Sequence, residues 1–145
     1  MSQNVEVEII HPDEWFRLRS IRLKSLTVNP EAFGGTLEVE SAEDESAWRE
    51  KFAQLDFLIA SVDGVDAAVM SIEKLDGDFG ATCWIGGCWS DPAYRGKGLL
   101  RAMMNFVDEQ DRGWQVQGLG VWIDNYSAIA AYEKLGFVKM GEDTP

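Results

Sequence analysis

The sequence is short of the residues from which metal and redox centres are assembled. It holds 2 Cys and 1 His, so there is no cluster to ligate a metal, and free thiols in this number fit a reducing compartment. Cys83 and Cys88 share one strand-like run, where side-chain alternation sets them on opposite faces and keeps them from pairing. Basic residues are scarce too: 13 Lys and Arg against 25 Asp and Glu leave a formal net charge of -12. A surface of that sign repels nucleic acid and favours cationic amines as ligands. Apolar runs near the ~20 residues needed to span a bilayer are lacking, and Met1-Ser2-Gln3-Asn4 is no basic flank of a hydrophobic stretch. The expectation is a cytoplasmic protein without a nucleic-acid or membrane partner. What remains, 145 residues that are 46% hydrophobic and 26% charged, amounts to one globular domain without repeats or linkers.

The chemistry concentrates in residues 90–104, S-D-P-A-Y-R-G-K-G-L-L-R-A-M-M. An apolar run ends at Ser90, Pro92 blocks further pairing, and an amphipathic segment begins at Leu99. A strand, a tight turn and a helix N-terminus therefore follow in immediate succession. Gly96 and Gly98 let the backbone approach a ligand, and the first N–H groups of the helix point outward with the positive end of its dipole behind them. Such a turn binds an anion, most often a phosphate. Arg95, Lys97 and Arg101 add positive charge there in an otherwise acidic chain. A P-loop is excluded, because Asp91 and Gly98 stand where it needs glycine and Ser or Thr. A dinucleotide fingerprint is incomplete, since Gly96-x-Gly98 runs on to Arg101, but an NAD-type oxidoreductase stays open because Asp124 closes the next apolar run.

The rest of the chain reads as mixed α/β. Residues 5–10 alternate apolar and acidic, a strand with one wet face. His11-Pro12 ends it, and Asp13 caps a helix running to about Thr27. Trp15, Phe16, Leu18, Leu23 and Leu26 form the apolar stripe of that helix, which Asn29-Pro30 breaks. Arg19 and Arg22 fall inside the stripe, so each needs a carboxylate, with Glu38 and Glu40 as candidates, or a place beside substrate. Residues 31–40 read as loop. Ser41-x-x-Asp44 reads as the capping box of a second helix carrying Trp48, Phe52 and Leu55. Residues 56–62 and 67–73 are β runs joined through Asp63-Gly64, a hairpin signal. After a turn at Asp76-Gly77-Asp78, residues 81–90 form the strand feeding the glycine turn.

From Leu99 the spacing of Leu100, Met103, Met104 and Val107 is helical, with Gly113 as a stop. Residues 116–123 then form a strand parallel to 81–90, reached by a helical crossover. Gly118 and Gly120 in it invite a bulge or the close approach of another backbone. Residues 124–135 end in a short helix closed by Gly136 in the αL position with Phe137 as its hydrophobic contact. Residues 138–141 predict a last strand.

Read as Arg95-Gly96-Lys97-Gly98-Leu99-Leu100, the turn resembles the acetyl-CoA signature of the GNAT superfamily of N-acetyltransferases: Arg or Gln, two residues, Gly, one residue, Gly or Ala. Leu100 departs from it, bringing a side chain where relatives have almost none. Asn125-x-x-Ala128-x-x-x-Tyr132-Glu133-Lys134-Leu135-Gly136-Phe137 is similar to the family's other acetyl-CoA motif throughout. The resemblance implies one α/β (α+β) domain over residues 1–145. Its mixed central sheet is splayed between the strands ending near Ser90 and Ile123, with helices on both faces. It also implies a further closing strand, for which nothing after Gly141 is suited. That leaves an edge that invites a second subunit, a homodimer.

The same resemblance assigns roles for acetyl-CoA as co-substrate, with no metal. The backbone of Cys88, Trp89 and Ser90 pairs with pantetheine amides. The N–H groups from Gly96 through Arg101 (Gly96, Lys97, Gly98, Leu99, Leu100, Arg101) hold the pyrophosphate, with Arg95 and Lys97 as supporting charge. Asn125 bonds the pantetheine arm and Ala128 leaves room for it. Transfer to an amine needs an uncharged nucleophile, an oxyanion donor such as the N–H near Cys88 or Trp89, and an acid for the departing thiolate. Tyr132 is the candidate acid. For the base, Glu38, Glu40, Asp124 or a water relay remain open, and Cys88 as an acyl carrier lacks a neighbouring histidine. The expected activity is acetyl transfer to a primary amine of a small molecule or peptide, by direct attack in a ternary complex. The alternative from another class is a non-catalytic acyl-CoA-binding or regulatory domain.

Overall fold

The alternation of valine and isoleucine with glutamate at the N-terminus forms the outer strand of a five-stranded sheet of order β1-β2-β3-β4-β5. The computed structural model describes residues 4–32, 35–74, 80–94, 96–110, 112–114, 116–120 and 125–138. Strand β1 (Val5–Ile9) pairs antiparallel with β2 (Leu55–Val62), from Val5↔Val62 to Ile9↔Leu58. The pair β2 and β3 (Val65–Lys74) turns through Asp63 and Gly64 at φ 50 and 85. Two successive positive φ values match the right-handed twist of a tight hairpin and explain the Asp-Gly choice. Strand β4 (Cys83–Ser90) lies antiparallel to β3. Short β5 (Gln117–Leu119) is parallel to β4, in the register Cys83↔Gln117 to Ile85↔Leu119. Its approach follows α4 (Leu99–Glu109), as a parallel crossover requires.

Residues Phe57-Leu58-Ile59-Ala60 and Ala67-Ala68-Val69-Met70 are all buried, because both faces of the sheet are covered. Leu58, Met70, Ile85, Met103 and Val107 pack on one face with α4. Leu18, Ile21, Trp48, Ile59 and Trp89 pack on the other with α1 (Trp15–Val28) and α3 (Glu45–Glu50). Each such side chain taken fully out of water contributes ~1.5–3 kcal/mol before its entropy is counted.

Several sequence expectations change. Asp13 does not cap α1; it lies in a 3-10 turn, Pro12–Glu14, whose Glu14 carboxylate accepts the His11 N–H at 3.3 Å. Phe16 is 54% exposed, and Ile21 and Ser25 are buried instead, so the helix turns a different stripe inward than its largest residues suggest. The segment read as loop contains a 3-10 turn, Pro30–Ala32, and helix α2 (Leu37–Ser41), capped by Thr36 Oγ1 accepting from Val39 N at 3.3 Å. Ser41 therefore ends one helix rather than opening the next. Asp44 alone caps α3, its Oδ1 accepting from Ala47 N at 2.9 Å. Leu55 belongs to β2, not to a helix.

Arg22 does find Glu40, in a two-pronged pair at 2.8 and 3.0 Å, and Arg19 donates to Ser41 O at 3.3 Å. The approach at Gly118 comes from a ring, not a backbone: a Cβ there would lie 2.6 Å from the Trp84 ring, the residue registered opposite it. The expected turn at 76–78, the end of the strand at 121–123, and residues 139–141 of the last strand lie outside the described residues, as do Arg95 and Asp124. Among the described residues no helix is long and apolar enough to cross a membrane, and no group of His, Cys, Asp and Glu could hold a metal ion.

Candidate active site

The site begins with a break in β4. Trp89 pairs with Val69 and Gly86 with Ser71, so Gly87 and Cys88 together stand opposite the single residue Met70. Gly87 has φ 57, the left-handed conformation that lets glycine carry the extra residue of a bulge. The bulge reverses the alternation beyond it. Cys88 accordingly packs against the same core as Cys83 and Ile85, while Trp89 joins the opposite one. The expectation that the two cysteines occupy opposite faces is therefore corrected, although both are free thiols, about 16 Å of strand apart.

The chain then makes the predicted turn. Asp91 donates its N–H to Ala67 O at 2.8 Å and caps the 3-10 turn Pro92–Tyr94 through Ala93 N at 3.0 Å. Lys24 from α1 reaches Asp91 Oδ2 at 2.5 Å. Burial alone would raise this carboxyl, but Lys24 and the Ala93 N–H outweigh it and hold it below the ordinary value. Gly96 and Gly98 follow at φ 80 and 70, where another residue would cost about 1–2 kcal/mol. A Cβ on either would meet nothing within 4 Å. Bare backbone thus faces open space, with Lys97 and Arg101 exposed beside it.

Among the described residues, no hydrogen bond engages the N–H of Gly98, Leu99, Leu100 or Arg101. The first amide to enter the helical ladder is that of Ala102, donated to Gly98 O at 2.9 Å. Unengaged amides, a helix dipole and two cations suit a diphosphate. Leu99 turns inward at 4% exposure, so its contribution to such a cradle is its amide alone.

Helix α5 (Tyr126–Lys134) closes the other side. Asn125 caps it, Oδ1 accepting from Ala128 N at 3.2 Å, and among the described residues its NH2 has no partner. At the far end Gly136, at φ 99, sends its N–H to Glu133 O at 3.0 Å, and Phe137 sends its own to Tyr132 O at 3.1 Å. This paired cap normally brings the hydrophobic residue after the glycine onto the last turn. Here the Phe137 ring meets the Tyr132 ring edge-on at 5.8 Å. The C-cap therefore fixes the ring of the candidate acid.

Between these parts lies a cleft of about 130 Å3 lined by Cys88, Trp89, Ser90, Leu100, Ala128, Ala131 and Tyr132. Six of the seven were singled out in the sequence. Ala131 was missed, although it falls one turn after Ala128 on the same helical face. Leu100, the departure from the signature, faces this cleft directly. Burial, reinforced by Cys88, lifts the Tyr132 phenol above its usual value, so it keeps its proton at neutral pH. Burial pushes the Cys88 thiol up to about 11, and the neighbouring Tyr132 hydroxyl only partly opposes that. Cys88 is thus no activated nucleophile, and His11 lies exposed at the end of β1.

The base candidates fare differently. Glu40 is engaged with Arg22, Glu38 is exposed on α2, and no carboxylate lines the cleft among the described residues. A link that sequence could not reveal is Trp89 Nε1 donating to Asn29 Oδ1 at 2.9 Å, which ties the cleft to the end of α1.

Comparison with known proteins bears directly on this arrangement. The model of the acetyltransferase (GNAT) family matches residues 15–137. The fold is shared with an aminoglycoside acetyltransferase from an uncultured soil metagenomic sample, at 20% identity, TM-score 0.74, and 98% of each chain covered. It is shared with an aminoglycoside N-acetyltransferase solved in complex with CoA, at 14% identity and TM-score 0.70, covering 99% of this chain and 94% of that one. A predicted acetyltransferase from Clostridium acetobutylicum, solved with acetyl-CoA, matches at 16% identity and TM-score 0.68, covering 98% of this chain and 95% of that one. No curated protein matches the sequence. The family match runs from the first residue of α1 to the phenylalanine that packs on Tyr132, so it takes in the bulge, the glycine turn and the capped helix alike: this chain belongs to the GNAT acetyltransferase family.

Proposed function

We propose that this protein moves an acetyl group from acetyl-CoA to a primary amine by direct attack in a ternary complex. The observation that carries the reading is the meeting of two separate devices at one cleft. The bare amides at the start of α4 open beside Leu100, and Tyr132 lines the same cleft from α5. Bound acetyl-CoA would supply a thioester whose acyl carbon an uncharged amine can attack.

The chain's own residues have the following parts. Gly96, Lys97, Gly98, Leu99, Leu100 and Arg101 hold the diphosphate, and Arg95 adds charge. The strand edge at Cys88, Trp89 and Ser90 pairs with the extended amide arm, as an added strand would. Asn125 offers its NH2 to that arm, and Ala128 and Ala131 leave it room. Tyr132 keeps a proton at the end of the cleft for the departing sulfur. The amine sheds its proton to water or to Asp124, which lies outside the described residues.

The acceptor is a cationic small molecule, a reading supported by the net charge of -12 and by the aminoglycoside acetyltransferases among the structural neighbours. The protein works in the cytoplasm, and the β5 edge is where a second copy would pair. The test is thioester consumption with a panel of amines including polyamines, aminoglycosides and amino acids. Turnover with one of them is the expected result. CoA binding with no turnover on any amine would instead identify an acyl-CoA-binding domain, and thermal protection by NAD but not by CoA would identify an oxidoreductase.

A further inference from the structure

The α1 side of the sheet carries a row of residues that the chemistry above leaves unused. The registers Leu55↔Glu73, Glu73↔Trp84 and Trp84↔Gly118 align one residue from each of the strands β2 to β5. Met70, Ile72, Cys83, Ile85 and Leu119 belong to the core on the α4 side, so alternation turns Ser71, Glu73, Trp84, Gly86 and Gly118 to the opposite side. Nearer the bulge that side is closed: Ile59, Val69 and Trp89 pack there with Leu18, Ile21 and Trp48. Farther along, Ser71, Glu73, Trp84 and Gly86 are only half-buried.

Glu73 and Trp84 stand directly opposite each other, which brings their Cβ atoms to ~4.5–5.5 Å. The Trp84 ring runs along β5, its Cζ3 2.6 Å from where a Cβ of Gly118 would be and its Cζ2 3.8 Å from that of Gly120. Two glycines thus make the bed for one indole. Among the described residues nothing pairs with the Glu73 carboxylate. Lys74, the next residue, turns instead to Gly113, its Cε 2.9 Å from where a Cβ there would be. A carboxylate without a counter-charge beside an indole attracts an organic cation by its charge and by the ring quadrupole together.

Between this pair and the bulge, Gly86 leaves the strand bare. The Ser71 hydroxyl lies 3.2 Å from where a Cβ of Gly86 would be, so any larger residue would crowd it. From Trp84 to Cys88 this track spans four residues, ~13 Å of strand at most.

We infer that Glu73 and Trp84 are specificity-determining residues: they hold a second positive charge of the acceptor, at the far end of the Gly86 track from the amine that reacts. The inference rests on the acetyl-transfer reading for what the occupant is, and it narrows that occupant to a slender amine with at least two ammonium groups. The net charge of -12 favours the same class. Neither residue touches the acetyl group, so both act on the choice of amine and not on the acyl step.

The test compares spermidine with butylamine, an amine that has no second charge. In turnover, Glu73→Gln lowers the ratio of kcat/KM for spermidine to that for butylamine roughly tenfold, and Trp84→Leu lowers it about threefold. Trp84→Phe, which keeps a ring, recovers part of that loss. A ratio of two substrates on one preparation cancels any loss of folded protein. Added salt erodes the spermidine preference more steeply in the parent than in Glu73→Gln. A ratio that stays within about twofold of the parent in Glu73→Gln overturns the inference.

Binding is read without turnover by calorimetric titration of spermidine into the protein with CoA present. Weaker binding in Glu73→Gln, by a factor close to that of the kinetic ratio, is the expected result. Spermidine bound equally by parent and variant, or not bound by the parent, overturns the inference. If the parent acetylates no amine, it is the proposed function that fails, and the titration still decides the role of Glu73.

Discussion

The two sides of the sheet are held together by different physics. On the side of α1, α2 and α3, ion pairs are dense. Arg17 gathers Glu8, Glu14 and Asp66; Arg22 holds Glu40; Lys24 holds Asp91; and Arg49 reaches Asp13 and Glu45. Among the described residues no ion pair joins α4 or α5. Those helices are set by apolar packing, by glycines at positive φ and by caps. One side is a lattice of charges on flexible stems, the other a set of backbone conformations. The second kind suits a ligand recognised by its main-chain-like amides and phosphates, and the first suits a wall whose charges can be exchanged without refolding the sheet.

Substitutions can break or sharpen this contrast. Tyr132→Phe on the backbone-built side removes the proposed acid and should lower kcat about 100-fold, with KM for acetyl-CoA little changed. A loss below about threefold in the amine assay would show that the leaving sulfur needs no help from this residue. Gly98→Ala forces a side chain into the left-handed region and should weaken CoA binding about tenfold. Calorimetric titration with CoA reads it, and unchanged affinity would remove the turn from the cradle.

On the charged side, Glu40→Gln should cost about 1 kcal/mol in urea unfolding, because the pair is only partly shielded, while leaving CoA affinity unaltered. A matching fall in CoA affinity would erase the division between the two sides. Smallest are the pH slopes, and they run in opposite directions. Glu14 is held below its ordinary range chiefly by Arg17. Its contribution is present above about pH 4 and lost as pH falls further, and Arg17→Met should flatten that acid limb. Cys88 is raised to about 11, so its contribution is full below about pH 8.5 and lost as pH climbs. Cys88→Ala should flatten the alkaline limb in the same urea measurement.

The contrast also governs what could be read from the residues. Gly96, Gly98 and Gly136 announce themselves because a φ near +70 to +100 is a demand made within one turn of the chain. Asn125, Ala128 and Tyr132 fall together because helical spacing is local. Arg17 gave no signal, since its partner Asp66 is 49 residues away and any of many acids could have filled that place. Phe16 misled because hydrophobicity alone does not say which side of a helix meets the sheet. The two short helices around Ser41 were merged into a loop and one helix, because caps at Thr36 and Asp44 are neighbours in a polar stretch. The bulge was hidden as well: Gly86 and Gly87 are both glycine, and only pairing with Ser71 and Val69 shows where the extra residue sits.

Cys88 and Trp89 are consecutive, yet the bulge delivers them to different hydrophobic bodies, one shared with α4 and α5, the other with α1 and α3. A substitution that repacks the Trp89 ring, its tether to Asn29 included, therefore acts first on the body shared with α1 and α3. One at Cys88 acts on the body shared with α4 and α5, and the single added residue in β4 is the seam between them.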